Sequence, residues 1–109
     1  MSIMAIIQDP KTDEEKSFSI PLASEKFFED IWEPLAEELE LQWIPTFLSG
    51  VDVIEDDLDD IVSELEKLEV LAKEKLNQDN FSQLQERIKL IKDKLPGAFK
   101  RVGAVVFIG

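Results

Sequence analysis

The chain has no histidine, no cysteine and no tyrosine among its 109 residues. Without cysteine there is no thiol nucleophile, no disulfide and no thiolate metal ligand. Without histidine there is no Ser-His-Asp triad, no imidazole base and no ordinary zinc site. Glycine is scarce, at positions 50, 97, 103 and 109 only, and neither GxGxxG nor GxxxxGK[ST] occurs. No phosphate-cradling loop is therefore written in the sequence. No apolar run approaches the roughly 20 residues of a membrane span. Residues 1–7 lack the basic start and the length of a secretory signal. The expected compartment is the cytoplasm, since the absence of cysteine removes any argument for an oxidising one. The side chains best suited to proton transfer and covalent catalysis near neutral pH are missing, and no cofactor or metal motif replaces them. The expectation is a protein that is not an enzyme and carries no cofactor.

Apolar residues make up 44% of the chain, enough for one core and one domain over residues 1–109. Residues 4–7 and 18–22 read as strands joined by a polar turn over 8–16, giving a hairpin across 3–20. Pro21 restricts the second strand to an edge or an end. Ser24 is a good N-cap. After it, Phe27, Phe28, Ile31, Trp32, Leu35, Ala36 and Leu39 recur at helical spacing, predicting a helix over about 25–40. Pro34 should kink it or break it in two. Residues 41–48 suggest a strand or an extended segment, although Pro45 argues against a central strand. Leu58, Ile61, Leu65, Leu68, Ala72 and Leu76 predict a helix over about 56–76. A second helix, over about 81–95, starts from an N-cap at Asp79 or Asn80 and stops at Pro96-Gly97. The short link makes these two an antiparallel hairpin. The run 104–108 is continuously apolar and predicts a strand buried on both faces, paired with the N-terminal hairpin. Gly103 beside it should mark a bulge or a close backbone approach. The fold class is α+β, in the order β-β-α-(β)-α-α-β: a three- to four-stranded sheet with about three helices packed on it. The rival is a helical bundle with a minor hairpin.

Charge is the most unusual property. The chain holds 24 acids and 12 bases, a net charge of −12. Residues 1–66 hold 19 acids and 3 bases, and residues 67–109 hold 5 acids and 9 bases, so the two parts carry −16 and +4. Such a chain repels nucleic-acid phosphates and anionic membrane surfaces, and neither is an expected partner. Lys89, Lys92, Lys94, Lys100 and Arg101 form a small basic group suited to acids of the chain's own first half or of a second copy. The cluster Asp52, Glu55, Asp56, Asp57, Asp59 and Asp60 invites a calcium reading. An EF-hand needs Gly at the sixth position and Glu at the twelfth, where Asp57 and Ser63 stand, so the pattern fails. The same acids suit the start of a helix, where the macrodipole favours them.

The remaining reading is a binding protein whose partner is basic. Acids steer the encounter and a partly buried aromatic anchors it. The candidate contact residues are Glu29, Glu33, Glu37, Asp52, Glu55, Asp56, Asp57, Asp59 and Asp60, with Trp43 as the aromatic. In size, acidity and mixed α+β order the chain resembles the small immunity proteins of bacterial toxin–antitoxin and contact-inhibition systems. The resemblance implies a protein that neutralises a toxin, often a nuclease, by covering its basic active site; it transfers no individual residue role. Two other readings compete with it. One is a self-assembling protein, or a homodimer through the helical hairpin. The other imitates DNA with ordered rows of carboxylates.

Overall fold

The computed structural model describes residues 2–109. Strand β1 (Ser2–Ile7) is followed by a short helix α1 (Asp13–Ser17) and strand β2 (Ser19–Ser24). Helix α2 runs as α-helix over Glu25–Phe27, as a π turn over Phe28–Trp32 and as α-helix again over Glu33–Glu38. Strand β3 (Val51–Val53), helices α3 (Leu58–Lys75) and α4 (Gln78–Lys94) and strand β4 (Val106–Ile108) complete the chain. The strands form one antiparallel sheet in the order β2-β1-β4-β3. The architecture is α+β, as the sequence predicts, with the N-terminal hairpin and the final strand paired.

One face of the sheet makes the core. Ile3, Ala5, Ile7, Ile20, Leu22, Val53, Val106 and Ile108 point to it, against Phe28, Trp32, Ile61, Leu65, Leu68, Leu84 and Ile88 of the helices. Ile6 on the opposite face is 42% exposed. Strand β4 alternates in the same way: Val106 and Ile108 are buried, Val105 and Phe107 half-buried. The expected burial on both faces is therefore corrected to one: β4 is central because it has a neighbour on each edge, not because helices cover both sides.

Five local expectations also change. The 8–16 connection is not a plain turn, because it holds α1, whose N-cap Thr12 accepts from the Glu15 N–H at 3.1 Å. Pro34 does not break α2, which stays helical through it. It has no N–H to give, and the chain widens one turn before it: the Glu33 N–H bonds to the Phe28 carbonyl, five residues back. The second long helix starts earlier than predicted, because Asn77 rather than Asp79 or Asn80 is its N-cap, accepting from the Asn80 N–H at 2.8 Å. Residues 41–48 form no strand. Ile44–Thr46 is a 3₁₀ turn with Pro45 in its first positions, and the third strand lies later, at 51–53. Gly103 makes no bulge; it sits in the turn before β4 at φ +82° with open space around it.

Neither sheet edge offers an unbroken row of free amide groups. Met4 and Gly109 exchange both N–H···O bonds, at 3.2 and 3.0 Å, which fixes the alternation. By that alternation Val106 and Ile108 bond to β3, and only Asp52 turns its amide groups outward. The flanking N–H groups are taken: Gly50 bonds to the Thr46 carbonyl at 2.9 Å and Ile54 to the Asp57 carboxylate at 3.1 Å. At the other edge Pro21 faces out with no N–H, and its carbonyl accepts from Arg87 at 3.3 Å.

Gly50 is a glycine the fold requires. Its φ is +102°, and an added Cβ would meet the tip of the Phe107 ring at 2.8 Å. Gly50→Ala is expected to lower stability by about 2 kcal/mol, most of it backbone strain. In urea unfolding, the double variant with Phe107→Leu should recover only the smaller, steric part.

Candidate acidic interface

The six acids of 52–60 lie on three consecutive pieces. Asp52 is on the edge strand β3, Glu55–Asp57 form a 3₁₀ turn, and Asp59 and Asp60 fill the first turn of α3. The local chemistry explains the geometry. The Asp57 carboxylate caps the Ile54 N–H, and acids suit the positive end of an 18-residue helix. Asp52, Glu55, Asp56, Asp59 and Asp60 are exposed and Asp57 is half-buried. Asp52 accepts a hydrogen bond from the Gln8 side chain. None of the six forms an ion pair among the described residues. Ile54, in their midst, is 46% exposed.

Trp43 comes to the same end of the molecule. Its backbone N–H is held by Glu64, and Glu64 is one helical turn from Asp60 on α3. The Trp43 side chain is half-buried against the core, leaving part of the indole accessible. Trp32, by contrast, is fully buried and stacks on Phe28 with centroids 5.6 Å apart, so it anchors the core and no interface.

The other three candidates lie elsewhere. Glu29, Glu33 and Glu37 belong to α2. The start of that helix borders α4, where Phe27 lines a shallow cleft with Gln83 and Arg87. Its end approaches the last turn of α3, where Glu38 lies 3.9 Å from Lys75. Asp59 is 16 residues before Lys75 on the same helix, about 24 Å along its axis. Glu29 and Glu37 are exposed and Glu33 half-buried, but Glu37 and the 52–60 cluster occupy opposite ends of α3.

Sequence reasoning missed Glu64. It is 8% exposed, and its carboxylate accepts the backbone N–H groups of Gln42, Trp43 and Ile44 at 3.0, 3.0 and 3.1 Å. The signal was present: Glu64 is three residues after Ile61 and four before Leu68, on the buried stripe of α3. It also missed the Glu15–Arg101 pair. Arg101 Nε and Nη2 meet the two Glu15 oxygens at 2.9 and 3.1 Å, across 86 positions of sequence. The Lys11 N–H adds a bond at 2.9 Å.

The Arg101 guanidinium, and then the Lys11 N–H, hold the Glu15 carboxyl below the ordinary glutamate range. A group whose folded pKa is depressed stabilises the fold above its unfolded pKa and loses that contribution as pH falls through the folded value. Wild type should therefore lose more stability than Glu15→Gln on the acid limb, below the usual carboxylate range. Urea midpoints measured against pH check this; parallel acid limbs would show that the pair is idle.

Of the four ion pairs among the described residues, three join a base beyond residue 66 to an acid at or before it: Lys75–Glu38, Lys92–Glu66 and Arg101–Glu15. The charge asymmetry of the two halves is partly met inside one chain. Among the described residues no helix is long and apolar enough to cross a membrane, and no three acids converge as metal ligands would.

No family model, no curated protein and no solved structure matches this chain.

Proposed function

We propose that the chain is a non-catalytic binding domain that covers a basic site on a partner protein, in the manner of an immunity-type inhibitor. The observation that carries this reading is the unneutralised state of Asp52, Glu55, Asp56, Asp57, Asp59 and Asp60. Six carboxylates within nine residues form no ion pair among the described residues, although bases of the second half pair with acids elsewhere. Such a surface steers a cationic partner, and Ile54 and Trp43 give the encounter apolar contacts. The matched ion pairs within the chain support a single-chain binder over assembly by the two halves of successive copies.

The test compares wild type with the triple variant Asp56→Asn/Asp59→Asn/Asp60→Asn, in capture from cell lysate and then in association kinetics with the protein recovered. All three positions are exposed, so the variant should fold. Its association should be roughly tenfold slower at low salt, and its dependence on ionic strength flatter. Equal rates and equal salt dependence would remove these acids from the interface.

A further inference from the structure

A cleft of about 550 Å³ lies between α1 and the segment that follows α4, and its Arg101 also borders a smaller pocket with Glu55 and Asp56. Its volume is in the range of small-molecule sites. The floor is apolar, from Ile7, Phe18 and Ala98. Three cations border it. Lys94 and Lys100 are exposed and make no ion pair among the described residues. Arg101 is held differently. Glu15 takes its Nε and Nη2, which fixes the plane of the guanidinium, while Nη1 makes no hydrogen bond among the described residues. An oriented guanidinium with an open edge is suited to an oxyanion. Glu14 and Asp93 also stand on the rim without ion pairs, and they oppose a ligand carrying more than one negative charge.

We infer that this cleft binds a small amphipathic monocarboxylate, its apolar body on Ile7, Phe18 and Ala98 and its carboxylate between Lys94, Lys100 and the open edge of Arg101. Each part is needed: the floor holds the body, and the cations select the head.

The probes are phenylacetate, benzyl alcohol and acetate, which carry body with head, body alone and head alone. Binding is read from backbone amide shifts of the full chain. Phenylacetate should shift the amides of Phe18, Ala98 and Arg101 saturably, with a Kd on the order of 1 mM, and the other two should bind at least roughly tenfold more weakly. Gly97 gives a blocking variant. It lines the cleft, and a Cβ there meets nothing within 4 Å, so Gly97→Phe fills the space while sparing the core. That variant should abolish the response. Lys94→Ala/Lys100→Ala, at two exposed positions, should weaken it at least about threefold and decides the matter if Gly97→Phe fails to fold. No saturable shift by about 10 mM, an undiminished response in either variant, or equal binding of benzyl alcohol would overturn the assignment.

Discussion

Glu64→Ala is expected to lower stability by about 3 kcal/mol, a large effect for one of 24 acids. The carboxylate collects three consecutive backbone N–H groups, and charge-assisted bonds of this kind are the stronger ones. Truncation leaves all three donors without a protein acceptor. Ile44 is fully buried, so its N–H bears the desolvation cost in full, while water reaches Gln42 and Trp43 more readily. Glu64→Gln keeps one acceptor oxygen and loses the charge, and should cost about half as much. Urea unfolding with an unchanged m-value is the measurement. A loss below about 1 kcal/mol for the alanine variant would mean that Pro45 and the packing of Phe47 hold the 41–50 segment without the carboxylate.

Trp32→Ala is expected to cost about 3–5 kcal/mol, the largest effect of any single substitution considered. The side chain is fully buried, and its stacking on Phe28 is tied to the π turn that carries both residues. Trp32→Phe separates volume from polarity. The indole Nε1–H meets no acceptor among the described residues, so removing it relieves an unpaired buried donor while the stack is kept. That variant should lose under about 1.5 kcal/mol. A loss close to that of alanine would show that the indole's full volume, and not the stack, holds the region.

These two residues also show where sequence reading works and where it stops. The stripes of α3 and α4 recur every three or four residues, so both helices are visible within a window of fifteen. The continuous apolar run before Ile108 announces a strand, and its pairing with β1 follows from the need to cover it. Residues 41–48 look extended in isolation, because their apolar residues alternate loosely. Their actual form is imposed by Glu64, some twenty positions later, and no local window contains it. Pro34 poses a similar problem: the proline is plain, but the turn that accommodates it forms before it and depends on Trp32 finding its place in the core. The acidic cluster was legible as composition. That Trp43 joins it, and that Glu37 does not, depends on how α2 and α3 cross.

The place of β4 in the sheet has a consequence for synthesis. Residues 106–108 lie between β1 and β3, so β1 waits for a strand that is synthesised after every helix described above. A lone two-stranded hairpin is marginal in water, and β3 has no other neighbour. The nascent chain therefore cannot complete the sheet while residues 106–108 remain inside the ribosome. Until they emerge, Ile3, Ala5 and Ile7 have half a sheet to belong to, and folding waits on their release.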